Sequence, residues 1–484
     1  MSRILSIFLC VVEVVLIAAG ERPNVVLIMS DDQGWGETGY NGHPHLKTPV
    51  LDQMAATGLR LDRFYAASPV CTPTRASVMT GRHANRSGAF SWNWSIRPEE
   101  VTLAQILQDA GYRTGHFGKW HIGAVKKGSP LSPSAMGFDE YLSHDNFFEL
   151  SPALSRNGEK PETIQGESSE VVVKEALSFV SQARAEQKPF FVVIWFGSPH
   201  DPYSGLNLDR KRYESIGPPL ADRFAEITAL DRAVGMFREG LDRLNVRDNT
   251  LLWFNSDNGI TTEGVPEEQR EDLFNGNLRG KKGLLFEGGV RVPCIIEWPN
   301  VITRPHRSDL AAVTSDILPT LLDVLGLKHP KPDRPLDGVS LKRLMVNGKM
   351  NQRPRPIGFW RYHNKPERDG EPWIADRRLT EMITTTARQR AKRARGEYEQ
   401  PDIFWNYKHP TVRKKITDRA AWMDNRYKLL VEKGGKQLLL FDLLNDREET
   451  TDIAARHPQI VKRMKRELAA WQQSVERSLT GADY

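Results

Sequence analysis

The sequence predicts an α/β fold: a large mixed, mainly parallel sheet flanked by helices, followed by a smaller C-terminal antiparallel sheet plus helix. Apolar runs of strand length alternate with longer helical patterns, as parallel strands joined by covering helices require. Three of the runs pass straight into polar loops rich in Gly, Pro, Asp and Asn, and near the C-terminus two strand-like runs flank a Lys-Gly-Gly turn. In order, strands are expected over 24–29, 190–196 and 250–254, with a further strand-like run at 113–117. Helices are expected over 48–56, 101–110, 169–184, 222–244 and 315–325. The loops after the three strands read SDDQGWG (30–36), GSPHDP (197–202) and NSDNG (255–259). They should converge, because an open α/β sheet binds ligands where loops leave the carboxyl ends of its strands.

With 484 residues the chain has room for two to four domains of ~100–200 residues each. Hydrophobic residues at 39% and charged residues at 26% exclude a collagenous, coiled-coil or wholly disordered chain. Lys plus Arg number 67 against 61 for Asp plus Glu; a net charge of +6 favours anionic ligands only weakly and gives no reason to expect a nucleic-acid partner. Residues 1–20 resemble a secretory signal: Arg3 supplies the positive start, 4–19 are mostly apolar, and Ala18 and Gly20 suit cleavage before Glu21. Glu13 interrupts the apolar run, which argues against a membrane anchor, so an exported protein, periplasmic or secreted, without stable membrane insertion is expected. A main domain over 21–350 and a C-terminal subdomain over 351–484 follow, the latter with a hairpin at 427–441 and a helix from 457 to about 475. Within this subdomain, ahead of the hairpin, lies a poorly periodic insertion, 361–419, with the basic residues Arg388, Arg390, Lys392, Arg393 and Arg395. These read first as a solvated helix or loop and second as an element that grips a polyanion.

Beyond Cys10 in the signal, the cysteines are Cys71 and Cys294. Cys294 sits in the apolar run 292–298 and is expected to be buried and inert, which leaves Cys71 to be explained. In SPVCTPTRASVMTG (68–81), Pro73 suits an early helical position, so Cys71 should stand at a helix N-terminus, where anions are attracted. Arg75, one helical turn on, can reach back to the same point. Taken alone, such a cysteine reads as a low-pKa thiol.

The pattern C-x-P-x-R followed by Thr-Gly-Arg resembles the signature of the type I sulfatases. Other blocks follow that family in order: NVVLIMSDDQGWG (24–36), GKWHIG (118–123), SPHDP (198–202), NSDNG (255–259), LRGKKGLLFEGGVRVP (278–293) and LFDLLNDREETTDIA (440–454). The resemblance implies an alkaline-phosphatase-like fold, a catalytic sulfatase domain over 21–350, and oxidation of Cys71 to formylglycine by a formylglycine-generating enzyme. It further implies that Asp31, Asp32, Asp257, Asn258 and the matured Cys71 hold a metal, and that Arg75, Lys119, His121, His200 and Lys282 line the sulfate pocket. The donor set agrees: carboxylate and amide oxygens suit a hard cation, Ca2+ first and Mg2+ second, and uncompensated clustered carboxylates would repel one another.

On this reading a hydroxyl of the aldehyde hydrate attacks sulfur with Asp257 as base, and His200 with Lys282 protonate the leaving alcohol. His121 then takes a proton from the second hydroxyl, and a sulfate hemiacetal collapses to release inorganic sulfate. Ser143, His144 and Asp145, after the Gly-Phe-Asp block at 137–139, are further candidates. The expected substrate is a sulfated carbohydrate, with a general likeness to arylsulfatases and N-acetylgalactosamine-6-sulfatases; Trp92 and Trp94 could stack on a polymer or pack internally. Competing readings are a phosphatase or phosphodiesterase of the same superfamily, and a non-catalytic sulfated-glycan binder if Cys71 stays a thiol.

Overall fold

The structure, a computed structural model, describes residues 22–361, 370–397, 402–409 and 419–484; the expected signal at 1–20 and parts of the insertion lie outside the described residues. Among the described residues a ten-stranded mixed sheet runs in the spatial order His306–Ser308, Leu59–Leu61, Cys294–Glu297, Thr250–Ser256, Asn24–Ser30, Phe190–Trp195, Arg113–Lys119, Glu140–His144, Ala153–Arg156, Glu162–Thr163. The strands from Thr250–Ser256 to Glu140–His144 pair in parallel, and antiparallel strands flank them on both sides.

Strand and layer order follow from side-chain alternation. In NVVLIMS, Val25, Leu27 and Met29 enter one core while Val26 and Ile28 enter the other. The first core is covered by the helices Cys71–Thr80, Leu103–Asp109 and Ile317–Leu325, the second by Pro49–Thr57, Ser168–Ala185 and Leu220–Arg243. The expected helices are thus present with small shifts at their ends, and the one expected over 315–325 opens instead with a 3-10 turn, Thr314–Asp316. Cys294 is buried in the first core, as expected.

The C-terminal sheet has four antiparallel strands, Ile357–Arg361, Arg419–Met423, Tyr427–Glu432 and Gln437–Asp442, where the sequence pointed only to the last two. The additional strands are the two ends of the insertion, with Arg361 opposite Arg419, so the insertion is an excursion from one edge of this sheet. One face of the sheet (Ile357, Phe359, Ala421, Leu430, Phe441) packs on Tyr65, Leu285 and Val313 of the main body. The other (Trp360, Trp422, Leu429, Leu440) packs on Met464, Leu468 and Val475 of the helix Pro458–Leu479. That helix runs past the expected 475 because Leu479 packs against Phe90 and Trp94. No helix among the described residues is long and apolar enough to cross a membrane.

Candidate active site

Four neighbouring parallel strands, Thr250–Ser256, Asn24–Ser30, Phe190–Trp195 and Arg113–Lys119, end at one edge of the sheet. Ser30 lies opposite Ser256, so Asp31 and Asp257 leave adjacent strands at the same level, and the loop bearing His200 leaves the strand on the other side. Gly118, at φ +107, has no room for a side chain because a Cβ there would stand 2.0 Å from the Trp195 carbonyl oxygen. That close approach brings Lys119 and His121 to the same edge. The helix Cys71–Thr80 is buried along its whole length, starts at Cys71 itself, and has no side-chain cap at its N-terminus.

Asp31, Cys71 and Asp257 offer ligand atoms all within 4.8 Å of one another, and so do Asp31, Asp32 and His200. Three buried carboxylates are opposed by three cations. Lys119 Nζ donates to Asp31 Oδ2 at 2.6 Å, Lys282 Nζ to Asp32 Oδ2 at 2.7 Å, and Arg75 Nη2 to Asp257 Oδ2 at 2.7 Å. Asn258 Nδ2 donates to Asp32 Oδ1 at 2.8 Å. Two buried oxygens, Asp31 Oδ1 and Asn258 Oδ1, have no hydrogen-bond partner. Such orphans are costly, and an oxygen-coordinated cation would satisfy both. Asp32 and His121 have positive φ, 68° and 56°, a strain of order 1–3 kcal/mol each that the surrounding packing must hold.

The electrostatics separate the groups. Burial and then the Asp31 charge push the Asp257 carboxyl up to about 7. Burial would also raise Asp32, but the Lys282 charge, with hydrogen bonds from Lys282 and Asn258, holds it well below the usual carboxylate range. Burial and Lys282 lower His200 to about 3, and burial with Lys119 and Arg75 lowers His121, so both imidazoles are neutral. His200 Nδ1 donates to the Asp201 carbonyl at 2.6 Å, which leaves Nε2 as an acceptor 3.4 Å from Lys282 Nζ. His121 Nε2 lies 3.4 Å from Asn93 Oδ1, and its buried Nδ1 has no partner. The Cys71 thiol is raised by burial, above all other influences. A low-pKa thiol is therefore not what this position provides; burial outweighs the nearby Lys119.

Residues 23–327 match the family model described as Sulfatase. The chain belongs to the sulfatase family. This sulfatase is 33% identical over 380 residues to N-acetylgalactosamine-6-sulfatase of Mus musculus, a match spanning 70% of this chain and 69% of that one. It is 34% identical over 365 residues to arylsulfatase A of Homo sapiens, over 68% of this chain and 69% of the relative. Its fold is similar to the solved structure of Ps i-CgsB in complex with k-i-k-neocarrahexaose, with a TM-score of 0.77, 23% identity, and coverage of 95% and 94% of the two chains. As a type I sulfatase it is a sulfuric ester hydrolase, in a family that generally uses a formylglycine and a divalent cation.

Every catalytic and metal-binding candidate named from the sulfatase's sequence lies at this edge of the sheet. Ser143 and His144 end the neighbouring parallel strand at the same edge, with His144 opposite Lys119 and Asp145 next in the chain, but the side chains of all three are engaged elsewhere. Ser143 Oγ is tied to His116 Nδ1 at 2.7 Å, and His144 Nδ1 lies 2.9 Å from the Asn146 backbone N and 3.0 Å from its carbonyl oxygen. Asp145 is an anchor for the insertion: its carboxylate accepts from the N–H groups of Val125, Ile383 and Thr384 and from Thr384 Oγ1, at 2.8 to 2.9 Å. Trp94 is 2% exposed and packs with Phe90 and Tyr407, so of the two tryptophans only Trp92, 61% exposed, reaches solvent.

Sequence reading missed three supports of the site. Arg223, fully buried, donates to the Asp32 carbonyl at 2.8 Å, to the Pro199 carbonyl at 2.9 Å and to both Glu37 oxygens at 2.7 Å, which ties the Asp32 and His200 loops together. Its signal was an arginine on the buried face of a long helix. Phe147 stacks on His200 at 4.0 Å, and Trp195 lies beneath Arg75 at 5.1 Å. Neither has a local sequence signal.

Proposed function

We propose that this sulfatase cleaves sulfate esters of a sulfated carbohydrate with a formylglycine made from Cys71 and a bound calcium ion, magnesium being the second choice. One observation carries the reading: Cys71 heads an uncapped buried helix within 4.8 Å of Asp31 and Asp257 carboxylate oxygens, among cations suited to a sulfate. The cation, held by Asp31, Asp32, Asp257, Asn258 and the matured residue 71, would stabilise charge on a sulfate oxygen and on the nucleophile. The hydrated aldehyde would supply two hydroxyls, one to attack sulfur and one whose deprotonation lets sulfate depart.

The chain's own residues do the rest. Asp257, whose orientation Arg75 fixes at 2.7 Å, is placed to accept the proton of the attacking hydroxyl. Lys282 and His200 form a pair facing the leaving alcohol; His200 is neutral with its Nδ1 proton anchored on Asp201, so the transferable proton of the pair resides on Lys282. His121, neutral and with an orphaned Nδ1, is suited to take the proton of the second hydroxyl. Lys119 and Lys282, which grip Asp31 and Asp32, carry N–H groups that would serve the sulfate oxygens with a cation held by those carboxylates.

The test has two parts. The intact mass of the Cys71 peptide should show the thiol replaced by an aldehyde or its hydrate, and an unmodified thiol would favour the glycan-binding alternative. The matured, ion-loaded protein should release inorganic sulfate from at least one defined sulfated sugar. No release from any organosulfate, simple aromatic esters included, would overturn the reading. Export belongs to the same proposal, and a mature N-terminus at Glu21 checks it.

A further inference from the structure

The insertion supplies a helix to the mouth of the catalytic centre. Ala387–Ala394 carries Arg388, Arg390, Lys392 and Arg393 and no acidic residue, and it starts on a capping box between Thr386 and Gln389. It is fastened to the catalytic body next to the Asp145 anchor: the Ala387 N–H donates to both oxygens of Glu149, at 3.0 and 3.2 Å. Arg388 Nη1 stands 3.5 Å from Asp201 Oδ2, and Asp201 follows His200. Arg388 thus faces the loop that carries His200, while Glu149, which follows the strand ending at His144, holds the first turn of the helix.

The cations inside the centre are each matched to a carboxylate and are the ones a single sulfate would engage. Arg388 differs. Its side chain is 62% exposed, and its contact with Asp201 is longer than the 2.7–2.9 Å of a charge-assisted hydrogen bond. A solvent-exposed pair of that length is held weakly and can exchange its carboxylate for another anion. The planar guanidinium also suits bidentate recognition of a sulfate or a carboxylate.

We propose that the Ala387–Ala394 helix is a subsite for a second anionic group, a sulfate or a carboxylate on the same saccharide as the ester that is cleaved, with Arg388 as its main contact. This rests on the reading of the centre as a carbohydrate sulfatase. It makes the preferred substrate at least doubly charged, with specificity for that second charge set outside the catalytic blocks.

The experiment measures inhibition of 4-nitrophenyl sulfate turnover by three disaccharides: one monosulfated and otherwise neutral, one disulfated, and one monosulfated with a uronate. In the native sequence the doubly charged ligands should bind about tenfold more tightly than the neutral-backed one. In Arg388→Ala that preference should collapse towards unity, and Arg388→Lys should keep part of it. Whichever doubly charged arm shows the larger preference identifies sulfate or carboxylate as the partner. The exposed position of Arg388 leaves the core untouched by these changes. An equal affinity for all three ligands in the native protein, or a preference that survives in Arg388→Ala, overturns the subsite. If 4-nitrophenyl sulfate is not turned over, calorimetric titration of the same saccharides decides the subsite, and the reading of the centre falls only if no organosulfate releases sulfate.

Discussion

Around Cys71, Arg75 and Lys119 are fully buried and grip carboxylates at 2.7 and 2.6 Å, whereas the insertion holds Arg388 largely in solvent, 3.5 Å from Asp201. The two regions use the same side-chain chemistry under opposite dielectric conditions. In the interior an unpaired charge is prohibitive, so each cation must have a carboxylate in good geometry, and the reward is a fixed array whose field needs no reorganisation. At the surface an ion pair is worth about 0–1 kcal/mol and can be traded for a ligand. The difference teaches that the centre is built to do chemistry and the insertion to be selective about what reaches it.

The contrast can be broken at its strongest point by Cys71→Ala. A small buried side chain at the head of a helix should be replaceable without unfolding, while sulfate release should fall by about 10^4-fold or more, read on an aryl sulfate beside a thermal melt. Lys282→Ala removes the proton-bearing member of the His200 pair and should cost roughly 10^2–10^3-fold, mostly in kcat with a natural, poor leaving group and much less with 4-nitrophenol.

A third measurement concerns the orphaned oxygens and the raised Asp257. Its folded pKa of about 7 lies above the ordinary carboxylate value, so the ion-free protein holds this proton more tightly than the unfolded chain does. The stability that this confers is present at pH below the ordinary value and is lost as pH rises through about 7. A cation takes the proton's place, so calcium affinity should rise with pH by up to about tenfold per unit and level off above 7. Calorimetry in buffers of different ionisation enthalpy should find proton uptake by buffer below pH 7. An affinity that is flat from pH 5 to 7 would remove Asp257 from the ligand set.

Smaller effects sharpen the description of the insertion. Asp145→Ala should leave several buried N–H groups unpaired and cost ~2–4 kcal/mol, with protease cleavage appearing in the insertion before global unfolding. Trp92→Ala, at an exposed position, should change stability by no more than about 0.5 kcal/mol in a denaturant melt.

The legibility of these regions differed in the same sense. NVVLIMS, FFVVIW and TLLWFNS announced themselves as strands because both faces of a central parallel strand are buried and every position is apolar. The loops at their ends carried the acids, amides and imidazole of the centre, which chemistry confines to few residue types. IGFWR and RAAWM were not read as strands, since each is short and its partner lies across the whole insertion. Likewise the proton on His200 was placed only by Asp201, whose carbonyl must accept.

By itself, then, the sequence determined the layered α/β architecture, because periodicity is a local property of the chain, and its resemblance to the sulfatases singled out Cys71 and the oxygen donors proposed for the metal. Tertiary structure alone decided which cation faces which carboxylate, that Cys71 is raised and not lowered, that Arg223 binds two loops together, and that the basic helix stands at the mouth of the centre. Those outcomes depend on burial and on distances between groups far apart along the chain, and low dielectric makes them decisive.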